Sequence, residues 1–150
     1  MTFTREQIAD KARSLIGTRF LHQGRSREGV DCVGLLYVIL TEIGYEGIYD
    51  VEGYRASPPA RVIYETLCQN FDEIPVSEVG VGDIYLMRIG GRKAKHASVL
   101  VSDAYDYPNG IEPEIVHAYA IAGQGRVTKE KRDEWLPACV TGFRLRGLEV

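Results

Sequence analysis

The stretch from Asp31 to Gly44 constrains the fold more than any other part of this chain. Leu35, Leu36, Val38, Ile39 and Leu40 make a helix here apolar over most of its surface. Such a helix has to be buried on nearly every side. It starts near Asp31 or Cys32, runs to Ile43 and meets its stop at Gly44. The rest of the molecule must therefore pack around it.

The flanking segments supply the packing partners. Thr4 to about Ile16 reads as a helix, with a capping box between Thr4 and Gln7 and with Ile8, Ala12, Leu15 and Ile16 on one face. Gly17 ends it, and residues 17–30 read as a Gly- and Arg-rich loop. Residues 45–58 read as irregular, with Tyr45, Tyr49 and Tyr54 along them. Pro58 and Pro59 lead into a short helix over about 60–69. From Phe71 the pattern changes to strands, at 82–89, 96–102, 114–120, 125–129 and 138–147, with turns at Gly90-Gly91 and Pro108-Asn109-Gly110. Helices first and antiparallel strands second is an α+β order. With 150 residues and no dividing linker, residues 1–150 form one domain.

Composition removes several functions. A net charge of −3 gives no electrostatic drive toward nucleic acid. No run of about 18 apolar residues offers a membrane span. The start of the chain has no basic segment followed by an apolar one, so no secretory signal is expected; a protein made in the cytoplasm would need another carrier to leave it. Cys32, Cys68 and Cys139 are odd in number and widely spaced, which fits neither a disulfide framework nor a zinc motif. No metal or organic cofactor is expected.

Cys32 stands at the start of the buried helix, where the helix dipole favours a thiolate. Two histidines follow on strands. His96 opens His96-Ala97-Ser98-Val99-Leu100-Val101, and His117 lies in Ile115-Val116-His117-Ala118-Tyr119. A thiol at a helix start and an imidazole at a strand end suit nucleophile and general base, with His117 orienting the base as a third member. The plainer alternatives are a buried small residue for Cys32, a surface histidine for His96 and a half-buried strand histidine for His117. Gln23 is a candidate side-chain donor to an oxyanion, and His22 a candidate wall of a substrate groove. Cys68 and Cys139 lie in apolar segments and read as structural. Arg88, Arg92, Lys93 and Lys95 form either a basic lip for acidic substrates or a solvated hairpin.

These residues resemble the NlpC/P60 family of papain-like cysteine peptidases. The likeness is carried by Gly17-Thr18-Arg19-Phe20, Asp31-Cys32-Val33-Gly34-Leu35, Val81-Gly82-Asp83-Ile84, His96-Ala97-Ser98-Val99 and His117, in that order over most of the chain. Phe20-Leu21-His22-Gln23, Ala94-Lys95-His96 and His117-Ala118-Tyr119 followed by Gly125-Arg126-Val127 resemble the phage-tail and gene-transfer-agent type. The resemblance implies a papain-like α+β fold and hydrolysis of an amide bond in peptidoglycan stem peptides. It implies catalysis by Cys32, His96 and His117, and phage tail proteins as partners. Asp31, Phe20 and Val33 would fall at the substrate's amino end, beside His22 and Gln23. Phe20 lacks the family's tyrosine hydroxyl and Val33 replaces its serine, which leaves L-Ala-γ-D-Glu specificity open. A tail adaptor that keeps the fold without catalysis, and an amidase or acyltransferase with the same Cys–His pair, are the alternatives.

Overall fold

A computed structural model describes residues 2–50, 59–90, 94–121 and 124–149. Tyr54, Arg92 and Lys93 lie outside the described residues, as does most of the Gly90-Gly91 turn.

Helix α1 (Arg5–Ser14) has the expected capping box: the Gln7 backbone N–H donates to Thr4 Oγ1 (3.1 Å), and the Thr4 N–H donates to Gln7 Oε1 (2.8 Å). It ends two residues before the expected Ile16, because Leu15 already serves as its C-cap and Gly17 turns the chain with φ 94°. Strands β1 (Arg25–Ser26) and β2 (Gly29–Val30) pair as a small ladder inside the stretch read as a loop. Helix α2 (Cys32–Glu42) follows directly, and Cys32, Val33, Gly34, Leu35, Leu36, Val38, Ile39 and Leu40 are all buried on it. Gly44 (φ 85°) is the stop. Helix α3 spans Ala60–Asn70.

The second half is the sheet. Strands β3 (Phe71–Ile74), β4 (Ile84–Arg88), β5 (Ala94–Ser102), β6 (Glu114–Ile121), β7 (Gln124–Lys131) and β8 (Cys139–Leu145) form one antiparallel sheet in the order β3-β8-β4-β5-β6-β7. Strand β3 escapes the sequence reading because four residues adjoining a helix carry little alternation of their own. The Pro108-Asn109-Gly110 turn is present as a short 3-10 turn closed by Gly110 (φ 68°). A one-turn helix α4 (Arg132–Trp135) links β7 to β8.

The two faces of the sheet differ. Ala97, Val99 and Val101 of β5, Val116 and Ala118 of β6 and Val127 of β7 join the helices in the main core. Leu100 and Ile115 alternate with them and form a second, smaller cluster with Tyr85 and Met87, against which Trp135 packs. His96 and His117 have the parity of this second face, since His96 is paired with Met87 and His117 lies two residues from Ile115.

Candidate active site

The start of α2 is fixed by Asp31. Its carboxylate caps the helix by accepting the Gly34 N–H (2.7 Å), accepts the Gln23 N–H (2.9 Å), and pairs with Arg25 Nη1 (3.1 Å). Arg25 in turn holds both carboxylate oxygens of Asp50 through Nε, at 3.0 and 2.9 Å. The contact with Asp31 keeps Gln23 in the left-handed region (φ 60°), an uncommon state for a residue with a side chain. Gly34 is required for a different reason. A Cβ there would sit 1.8 Å from the Gly24 carbonyl oxygen, so α2 rests directly on backbone.

Cys32 is placed at this helix start with its thiol against β5. Its Sγ lies 4.0 Å from the Lys95 carbonyl oxygen, and the Ala97 N–H also acts on it. These residues flank His96. The β4–β5 register shifts here, from Met87↔His96 to Arg88↔Ala94, so Lys95 is the extra residue of a bulge. Bulges free backbone groups and re-aim side chains next to functional sites. The thiol is held protonated: burial, then the Asp31 charge, pushes its pKa up to about 12, against smaller opposing effects of the Ala97, Val33 and Cys32 backbone N–H groups.

The two histidines meet on the second face. His96 Nε2 and His117 Nδ1 are 2.8 Å apart, with their rings nearly edge-to-face at 4.9 Å. Both are buried, His96 to 8% exposure and His117 to zero, which excludes a surface histidine at position 96 and a half-buried one at 117. Tyr119 stacks on His117 at 5.6 Å, and Trp135 closes on His117 edge-on at 5.0 Å. Burial pulls His96 down to about 3, with His117 adding to the effect, and pulls His117 down to about 4. Both imidazoles are therefore neutral at pH 7. No hydrogen bond joins the Cys32 thiol directly to the imidazole of His96. They share the 95–97 stretch of β5, and Nδ1 is the His96 nitrogen left over by the contact with His117.

The remaining predicted residues scatter around this centre. Gln23 Nε2 lies 3.2 Å from His22 Nε2, so the two loop side chains face each other. Phe20 is half-buried, bonded through its N–H to the Gly125 carbonyl (2.8 Å). With Arg19, Gly125 and Arg126 it lines an open groove of about 470 Å³. Val33 faces inward, beside a gap of about 20 Å³ between α2 and α3 that Leu36, Ile63, Leu67 and Ala97 also line. Cys68 packs against the main core and Cys139 against the second cluster. Among the described residues, no group of three or more His, Cys, Asp or Glu is arranged to hold a metal ion. No described helix is long and apolar enough to cross a membrane.

Sequence reading missed Arg25, Tyr119, Trp135 and Glu130, whose Oε2 lies 3.8 Å from His117 Nε2. Only Tyr119 carried a local signal, because residues two apart on a strand share a face. The others arrive through tertiary contacts that spacing does not encode.

No family model and no curated protein sequence matches the chain. Solved structures do. The NlpC/P60 domain of the peptidoglycan hydrolase SagA superposes with a TM-score of 0.62 at 18% identity, covering 94% of this chain and 98% of that domain. The chain has the NlpC/P60 fold. NlpC2 from Trichomonas vaginalis gives a TM-score of 0.63 at 15% identity, covering 94% of this chain. An NLP/P60-family lipoprotein-like protein from Staphylococcus aureus gives 0.62 at 17%, covering 97% of this chain. The chain spans 45% and 43% of the length of these last two.

Proposed function

We propose that this protein is a cysteine peptidase that hydrolyses an amide bond in peptidoglycan stem peptides, with Cys32 as nucleophile and His96 as base. The observation that carries this reading is the placement of a helix-start thiol against the strand residues that flank a paired, buried histidine. Its fold is that of a peptidoglycan hydrolase domain, which points to the substrate class.

In this scheme the Cys32 proton passes to His96 Nδ1 as sulfur attacks the scissile carbonyl carbon. The carbonyl oxygen, now negative, is held by backbone N–H groups at the start of α2, with Gln23 as a side-chain donor. The carbon–nitrogen bond breaks, the leaving amine takes the proton from His96, and a thioester remains. Water then attacks the thioester carbon and gives a proton to His96. Cleavage of the carbon–sulfur bond releases the acid, and the proton returns to Cys32. Because burial keeps both partners neutral at rest, thiolate forms together with attack rather than standing ready beforehand. His117 keeps the His96 ring aligned.

Asp31 is already engaged by Gly34, Gln23 and Arg25. With Phe20 in place of a tyrosine, and with Val33 turned into the core, this supports a substrate end that differs from a free L-Ala amino terminus. Carriage on a phage tail, with tail proteins as partners, is the setting that the motifs Phe20-Leu21-His22-Gln23 and His117-Ala118-Tyr119 favour.

The test is digestion of purified peptidoglycan and soluble stem peptides by wild type and Cys32→Ala, with products identified by mass spectrometry. A defined cleavage that vanishes in the variant is expected. Cleavage that survives in Cys32→Ala would overturn the assignment. Absence of products from reduced wild type, on these substrates and with assembled tail particles, would favour the adaptor.

A further inference from the structure

The Cys–His reading makes a demand on proton position. For His96 to accept a proton at Nδ1, its Nε2 must already carry one and donate it to His117 Nδ1. His117 Nδ1 must then be the acceptor, which places the His117 hydrogen on Nε2. That hydrogen needs an acceptor of its own, for His117 is fully buried.

One carboxylate stands near enough to be that acceptor. His117 Nε2 is a buried nitrogen with no hydrogen-bond partner. The cross-strand partner of His117 is Thr128 on β7, whose Oγ1 is likewise buried without a partner. Glu130 follows two residues later on the same strand, so it shares the face of Thr128. Its carboxylate oxygen Oε2 lies 3.8 Å from His117 Nε2, short of a hydrogen bond by less than the reach of one side-chain rotation. His117 Nε2 thus lies beside one carboxylate, which is about one-third exposed. The other neighbours of His117, Tyr119 stacked on one side and Trp135 edge-on, present rings.

We propose that Glu130 is a positioning residue: its carboxylate accepts the His117 Nε2–H and thereby sets the tautomer of both histidines so that His96 Nδ1 is free to take the Cys32 proton. The proposal rests on the cysteine-peptidase reading for its consequence but not for its geometry. Glu130 touches neither thiol nor substrate and acts only through His117. A glutamine keeps an acceptor oxygen at the same place; an alanine removes it.

The chain has only three histidines, His22, His96 and His117, which makes their ring nitrogens separable by NMR on ¹⁵N-histidine-labelled protein. At pH 7, wild type and Glu130→Gln should show His117 and His96 as Nε2–H tautomers. Glu130→Ala should move His117 toward Nδ1–H, which turns His96 round with it. A wild-type His117 carrying its hydrogen on Nδ1 would overturn the proposal. So would a tautomer unchanged in Glu130→Ala. Turnover of a soluble stem peptide gives the second readout. Glu130→Ala should lower kcat by about 10-fold with KM unchanged, and Glu130→Gln should recover most of that loss. Equal loss in both variants, or a loss confined to KM, would contradict a tautomer role. The NMR result stands even if the wild type cuts no peptide, so a failure of the peptidase reading and a failure of Glu130 are distinguishable.

Discussion

The helix-facing side of the sheet and its opposite face are built for different ends. The first packs Leu35, Ile39, Val99, Val116 and Phe143 into a continuous apolar core. Among the described residues, the second has Tyr85, Met87, Leu100 and Ile115 as its fully buried apolar cluster, and beside them it buries two histidines. One face supplies stability from apolar area, at about 25 cal/mol per Å² removed from water. The other gives up part of that gain to hold polar groups without solvent. The thiol sits where the two meet, on a core helix but against the backbone that carries His96. Stability and chemistry should therefore separate when each face is altered alone.

The widest separation is expected at the proposed nucleophile and base. Cys32→Ala and His96→Ala should each reduce stem-peptide turnover by about 10⁴-fold or more. Cys32→Ala should leave the melting temperature nearly unchanged, whereas His96→Ala should lower it somewhat, because it leaves the buried His117 Nδ1 without its partner. Steady-state kinetics beside thermal unfolding would show the split, and a parallel loss of stability and activity would erase it. On the core face the order reverses. Leu35→Ala should destabilise by about 2–5 kcal/mol, read from urea unfolding, while turnover per folded molecule stays within a few-fold of wild type.

Gly34→Ala sits between the two faces in effect. Its new Cβ would press on the Gly24 carbonyl, so α2 must lift from the loop that also holds Asp31 and Gln23. A stability loss of about 1–3 kcal/mol is expected, with a larger fall in kcat than Leu35→Ala gives. Equal effects of the two variants on kcat would mean that the helix start is not tied to the site.

Protons give a subtler contrast. The unfolded chain binds protons at its histidines near pH 6.5, whereas the folded molecule resists until about 4 at His117 and about 3 at His96. This contribution to stability is full above about pH 6.5 and is lost as pH falls toward 4 and then 3. Unfolding measured at pH 7, 6, 5 and 4 should show the decline, and His117→Leu should make it shallower. At the alkaline end the sign is opposite. The Cys32 thiol ionises near 9 when unfolded and near 12 when folded, so stability is full below 9 and falls between those values. Burial raises the Cys139 thiol to about 11 as well, so Cys32→Ala should make the alkaline fall shallower without removing it.

Much of the core face was legible from residues alone. The apolar run from Leu35 to Leu40, the Thr4 and Gln7 cap and the glycines at 17 and 44 are local signals, and local physics decides them. His96 and His117 were legible as strand residues, and the structure does bring their rings together. Their surroundings were not. Arg25 reaches Asp31 across a two-strand ladder, Trp135 arrives from the link between β7 and β8, and Glu130 depends on the β6–β7 register. A pairing register is set by the whole sheet, so no short window of sequence contains it. Val33 is similar: spacing put it beside the nucleophile, but only packing shows that it points into the core.

The central claim is that His96 activates Cys32 at the junction of the two faces. It is tested most directly with a stem peptide carrying a halomethyl ketone in place of the scissile carbonyl group. Native protein would be labelled and mapped by peptide mass spectrometry. The account predicts one adduct, on Cys32, that forms far more slowly in His96→Ala, with Cys68 and Cys139 unmodified. Equal labelling of all three cysteines, or a Cys32 adduct that forms as fast without His96, would contradict it.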